Sequence, residues 1–183
     1  MKIFVTLFIV YFLQTGMGVC QQSAGAAAGI DKTVDSLLNL SNDFLRQRQL
    51  EKALECDSLA WDLSIKYAGD TTLFFAKCCF NRGMILWQKG DFTESEINFN
   101  RALHLREGIL EKNHPDIALC IYHIAILDAE RGMFEQAELK LLDAKSQFEK
   151  SVGKFHPHYS SCAKDLAMVY YVMASYRKSE VLL

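Results

Sequence analysis

Histidine and cysteine recur as a pair, His114 with Cys120 and His156 with Cys162, and these are residue types that hold zinc. Their spacing argues against a metal site. Six positions along a helix of 3.6 residues per turn is a rotation of about 240°, so the two side chains of each pair point apart. Zinc pairs use Cys-x₂₋₄-Cys or His-x₃₋₅-His instead. Each histidine precedes a proline, in His114-Pro115-Asp116 and His156-Pro157-His158. Proline at the first helical position loses only an N–H that would be unpaired anyway, so both read as helix starts. Cys78, Cys120 and Cys162 stand 42 residues apart. Equivalent positions on packed helices lie about 10 Å apart, beyond the roughly 7 Å between Cα atoms that a disulfide spans. The series therefore reads as small buried apolar residues. Cys56 and Cys79 leave an odd number of cysteines beyond Cys20, so at least one thiol stays free. Nothing beside them suggests an activated thiolate.

Other chemistry is missing from the pattern. There is no Gly-x-Ser-x-Gly, no His-Glu-x-x-His and no glycine-rich phosphate loop. The chain is expected to be no enzyme and to carry no cofactor or metal. Its net charge of −2, pI near 6.2 and 50% apolar residues are those of an ordinary globular domain. With no basic stripe and no arginine or lysine cluster between aromatics, nucleic acid is not an expected partner.

What positions these residues is a repeat. Gly132-Met133-Phe134-Glu135-Gln136-Ala137-Glu138 has a counterpart 42 residues earlier in Gly90-Asp91-Phe92-Thr93-Glu94-Ser95-Glu96. The same offset reaches Arg48-Gln49-Leu50-Glu51-Lys52-Ala53-Leu54 on one side and Ala174-Ser175-Tyr176-Arg177-Lys178-Ser179-Glu180 on the other. A fixed period of this length marks stacked supersecondary units. Apolar residues at three- and four-residue steps make each unit a pair of helices. They are expected at about 31–47, 50–67, 72–89, from Asp91 or Thr93 to about 112, and onward from Pro115. The units run at about 31–71, 72–113, 114–155 and 156–183, the last stopping barely two turns into its second helix. Glycine at 90 and 132 supplies helix stops, and Gly83, Ala125, Ala60, Ala102 and Ala144 stand where helices must approach closely.

The first 30 residues lie outside the repeat. Lys2 followed by an unbroken apolar run from Ile3 to Leu13 and then small or polar residues reads as a secretory signal over 1–20. The run is too short to span a bilayer, which takes about 20 residues. Export to the periplasm, the surface or the medium is therefore expected. Lipidation at Cys20 is the lesser alternative, because Val19 is bulky where lipoprotein signals have a small residue; an uncleaved anchor is the other. Residues 21–30, uncharged and glycine-broken, read as a flexible linker.

Taken together the turn motif at Gly90 and Gly132, the small residues at 83, 125 and 167, the alanines at 60, 102 and 144 and the His-Pro starts resemble the tetratricopeptide repeat family. Within it they resemble the longer-period subclass of kinesin light chains. The resemblance covers 31–183. Arg48 and Ala174 stand where that family has glycine, and Arg82 and Asp128 where it is apolar. It implies an all-α solenoid of about three and a half repeats, a right-handed superhelix of antiparallel helix pairs that works as a protein-binding scaffold.

By the family's pattern the concave groove is lined by the first helix of each unit. The residues are Leu38, Asn42 and Leu45 in the first unit, and Lys77, Phe80, Met84, Trp87 and Gln88 in the second. Leu119, Tyr122, Ile126 and Glu130 follow in the third, and Lys164, Met168 and Tyr171 in the fourth. Phe80, Met84, Trp87, Tyr122, Ile126, Met168, Tyr171, Lys77 and Lys164 are the candidate partner contacts, set against the bland reading that the aromatics are core between repeats. The expected function is a non-catalytic scaffold binding a peptide or partner segment. The alternative is the recognition arm of a larger exported or membrane-associated enzyme or receptor, such as one ending in a caspase-like protease. Self-association through the bare C-terminal face is a third reading.

Overall fold

The turns set the architecture. Gly90 (φ 86°) and Gly132 (φ 78°) take the left-handed conformation that ends a helix. In each turn the chain closes with the same backbone bond, Asp91 N–H to Leu86 O at 2.9 Å and Met133 N–H to Asp128 O at 2.8 Å. The computed structural model describes residues 23–180, with side chains over 29–174. It consists there of seven helices and no strand: α1 (Ser23–Arg46), α2 (Leu50–Ala68), α3 (Leu73–Lys89), α4 (Phe92–Ile109), α5 (Pro115–Glu130), α6 (Phe134–Ser151) and α7 (Pro157–Glu180). The pairs α1–α2, α3–α4 and α5–α6 form hairpins, each stacked on the next. The secretory signal read over 1–20 and the apolar end 181–183 lie outside the described residues.

Helix starts follow local chemistry. Thr72 Oγ1 accepts from Phe75 N–H at 3.3 Å and Asp91 Oδ1 from Glu94 N–H at 3.2 Å. The two His-Pro motifs do the same with a ring nitrogen. His114 Nδ1 accepts from Asp116 N–H at 3.1 Å and His156 Nδ1 from His158 N–H at 3.2 Å. These histidines are caps, and the cysteines beside them are core: Cys78, Cys79, Cys120 and Cys162 are fully buried.

Small residues let the hairpins close. Ala53, Ala60, Ala102, Ala125, Ala137 and Ala144 have no exposed surface. At Gly83 an added Cβ would lie 2.7 Å from the Phe99 ring, so only glycine admits that ring. Phe99, fully buried, contributes about 1.5–3 kcal/mol by leaving water. Buried hydroxyls tie two hairpins across, Ser41 to Ala53 O and Ser95 to Gly83 O, each at 2.8 Å.

Two expectations are corrected. The linker read over 21–30 is helical from Ser23, because α1 runs Ser23–Arg46. Ala24, Ala26, Ala27 and Ala28 give no amphipathic period, yet alanine is the best helix former. The turn expected at Ala174, with a second helix begun at Tyr176, does not form, and α7 runs through it to Glu180. At the equivalent point Arg131 reaches back to α4, where Nη2 donates to Phe92 O at 2.9 Å and Nη1 to Glu96. In the fourth unit Met173 replaces that arginine and alanine replaces the glycine, so neither the left-handed residue nor the clamp is present. Arg48 also replaces glycine, but it keeps its turn by adopting φ 57°, with Gln49 N–H bonded to Phe44 O at 2.9 Å.

The charges at apolar positions are paired. Asp57, fully buried, accepts from Arg82 Nε at 2.8 Å and Asn81 Nδ2 at 3.0 Å, and Asn81 also donates to Ser41 Oγ at 2.8 Å. The Arg82 guanidinium lies 3.9 Å from the Trp61 ring centre. Asp128, 2% exposed, accepts from Lys140 Nζ at 2.5 Å.

Candidate partner-binding face

The first helices of the units, α1, α3, α5 and α7, carry the candidate residues at fixed register. Residues 38, 80 and 122 meet the next unit's first helix. Phe80 lies 5.3 Å from the His123 ring and 5.3 Å from Phe99, with the Arg106 guanidinium 4.7 Å above it. One unit on, Tyr122 Oη donates to Asp165 Oδ2 at 2.5 Å. Burial first, then this bond and the Asp165 charge, pushes the Tyr122 hydroxyl above its ordinary range. Both aromatics are half-buried in the clusters between units, so they fasten the stack while keeping an edge outward.

A second row is Met84, Ile126 and Met168, and a third is Trp87, Ala129 and Tyr171. Met84, Ile126 and Trp87 are half-buried against the core. Met168 and Tyr171, on α7, are 61% and 71% exposed. In the first unit Leu38 and Leu45 are buried core residues, so the expectation that they line a groove is withdrawn. The apolar strip therefore crosses α3, α5 and α7.

The lysines are engaged with acids. Lys77 Nζ lies 2.8 Å from Asp35 Oδ1 and 5.3 Å from the Phe74 ring centre, and Lys164 Nζ lies 3.4 Å from Asp165 Oδ1. Each of these lysines is thus partly neutralised by a neighbouring carboxylate.

His123 is the residue that sequence reasoning missed. It sits among Phe80, Phe99, Tyr122 and Trp87, with ring centres 5.3, 5.4, 4.9 and 6.1 Å away. Its Nδ1 is buried without a hydrogen-bond partner. Burial, then His158 and Arg106, lowers its pKa to about 3, so the ring is neutral and packs as an aromatic. A repeat offset from Asn81, itself buried, was the available signal.

The thiols follow the same logic. Burial pushes Cys78, Cys79 and Cys162 up to about 12 and Cys120 to about 11, so all four are protonated at neutral pH. The face offers apolar surface and fixed aromatic edges. Among the described residues no helix is long and apolar enough to cross a membrane.

Residues 78–150 match the tetratricopeptide repeat family model. This stretch is similar to tetratricopeptide repeats. Among solved structures it resembles the kinesin-light-chain TPR-like repeats of Podosopora anserina, with TM-score 0.70 and 14% identity over 81% of this chain and 70% of that one. It is also similar to BtubC (BKLC) of P. vanneervenii, with TM-score 0.70 and 14% identity over 88% of this chain and 65% of that one. At this identity the likeness is one of fold: an all-α tetratricopeptide solenoid. No curated protein matches the chain in sequence.

Proposed function

We propose that this repeat array is a non-catalytic docking scaffold that holds an apolar peptide or protein segment along the shared face of α3, α5 and α7. The observation that supports it most is the in-register row Met84, Ile126 and Met168, flanked by Trp87 and Tyr171, with the neighbouring lysines engaged by Asp35 and Asp165. Aromatic and methionine side chains on a rigid support are the anchors that dominate protein interfaces. Polar groups already paired leave little to attract a charged ligand.

Peptides selected from a displayed random library on the full chain test this. Enrichment of apolar sequences that is lost on Met168→Glu with Tyr171→Glu is the expected result, with the melting temperature unchanged because both residues are exposed. Equal enrichment by the double variant would overturn it. We also read residues 1–20 as an export signal, so the scaffold works outside the cytoplasm. A secreted or periplasmic product whose N-terminus is residue 19 or 21 is the expected outcome, and a cytosolic product that keeps residues 1–20 would contradict it.

A further inference from the structure

The chain contains one Asn-x-Ser/Thr triplet, Asn39-Leu40-Ser41, and it lies on α1. In an exported protein this is the acceptor pattern for an N-linked glycan. Consecutive residues of a helix turn by about 100°, so positions 39 and 41 point to nearly opposite sides of α1. Asn39 is exposed and Ser41 is fully buried. Ser41 Oγ donates to Ala53 O at 2.8 Å and accepts from Asn81 Nδ2 at 2.8 Å. The acceptor amide therefore stands in solvent, while the hydroxyl that completes the triplet is locked into the contact of α1 with α2 and α3.

The repeat register shows what this side of α1 does elsewhere. Asn39 is the counterpart of Asn81 and His123, and Leu40 of Arg82, Ile124 and Leu166. In the second unit these positions meet the preceding hairpin, where Asn81 and Arg82 both bond Asp57 of α2. In the first unit Asn39 is exposed and Leu40 is 45% exposed. Once the export signal is removed, the chain upstream cannot reach them. Residues 19–22 span at most about 14 Å when fully extended, whereas Asn39 lies about 24 Å along α1 from Ser23.

We propose that Asn39 carries an N-linked glycan, attached before α1 pairs with α2. The proposal rests on the reading of residues 1–20 as an export signal. The donor is an oligosaccharide joined to a polyprenyl pyrophosphate. Asn39 Nδ2 bonds to the anomeric carbon of the first sugar, the bond from that carbon to the pyrophosphate oxygen breaks, the amide releases one proton to a base of the transferase, and polyprenyl pyrophosphate leaves. A transferase reads the amide and the hydroxyl together from one side of an extended or turned backbone, so forming α1 and burying Ser41 hides the triplet. The attached sugar stays outside, beside Leu40, where it keeps another chain from stacking on α1 as α3 stacks on α2.

The protein purified from its source, treated with peptide N-glycosidase in heavy-oxygen water and digested with trypsin, yields the peptide 33–46 for sequencing by mass spectrometry. Residue 39 read as aspartate carrying heavy oxygen is the expected result, with Asn42 unchanged and with the intact chain's glycan mass absent from an Asn39→Gln variant. An exported chain that begins at residue 19 or 21 and has an unmodified Asn39 would overturn the glycan and leave the export reading standing. A cytosolic chain that keeps residues 1–20 would overturn both. The order of events has its own test. Membranes holding a transferase and its lipid-linked donor are given either a synthetic peptide of residues 33–46, too short to hold a stable helix alone, or the folded unglycosylated chain. The peptide should be modified and the folded chain refused; equal rates would overturn the claim that the triplet is read before folding.

Discussion

At the scale of the residue, the junction between the first two units is held by Asp57 and Arg82 where the later junctions hold Phe99 with Ile124 and Leu141 with Leu166. Breaking one side of a buried pair leaves a charge in a low-dielectric interior, so Asp57→Ala should cost about 3–5 kcal/mol in urea denaturation. Asp57→Leu with Arg82→Leu copies the third junction and removes both desolvation penalties. It should be neutral to about 1–4 kcal/mol more stable than the native chain, and a double variant as damaged as the single one would refute this account. His123 makes a pH prediction. Its folded pKa of about 3 lies below the ordinary histidine value of 6.5, so the unfolded chain binds the extra proton between these values. Its share of stability is therefore complete above pH 6.5 and lost as pH falls toward 3, with a slope of at most about 1.4 kcal/mol per pH unit. His123→Phe should flatten the dependence of the urea midpoint on pH between 6.5 and 4, and an unchanged slope would show that the ring is not the titrating group.

At the scale of the element, turn chemistry decides whether a unit completes. Arg48 holds φ 57°, a conformation costing a side-chain-bearing residue about 1–2 kcal/mol, and glycine there would remove that cost while loosening the unfolded chain by about 0.4–1 kcal/mol. Arg48→Gly should therefore raise stability by up to about 1 kcal/mol, read as a higher urea midpoint; a fall would mean that the Arg48 side chain contributes something beyond its backbone. The same comparison shows how much was legible beforehand. Six helices, the starts at Asp91 or Thr93, Pro115 and Pro157 and the buried Cys78, Cys120 and Cys162 followed from period and turn residues, because those signals are local. Ser23–Ile30 did not, since alanine carries helix propensity without an amphipathic period. The passage of α7 through Ala174 did not either, because a register shared with Gly90 and Gly132 says nothing of whether the turn's own supports are present. The partners of Arg82 and Asp128 were illegible for another reason: pairing depends on side chains 25 and 12 positions away. On the candidate face, the groove residues came from the family's pattern, while the division into inter-unit core, as at Phe80 and Tyr122, and exposed surface, as at Met168, depends on packing that spacing does not encode.

At the scale of the whole molecule, each hairpin touches only its neighbours, so stability is close to a sum of unit and junction terms rather than one global quantity. The differing junctions make that sum uneven along the array. The first rests on a buried polar network with an unsatisfied Asn81 oxygen, whereas the third is a continuous apolar cluster including Leu141, Ala144, Phe148, Leu166 and Val169. A lesion at the first junction should then open its own end of the solenoid without loosening the other. In native-state hydrogen exchange, Asp57→Ala should lower the protection of amides in α1 and α2 by most of its 3–5 kcal/mol, about two to three and a half orders of magnitude in exchange rate. Amides in α5 and α6 should keep their protection to within a factor of a few. Uniform loss across all the helices would show that the array unfolds as one cooperative body.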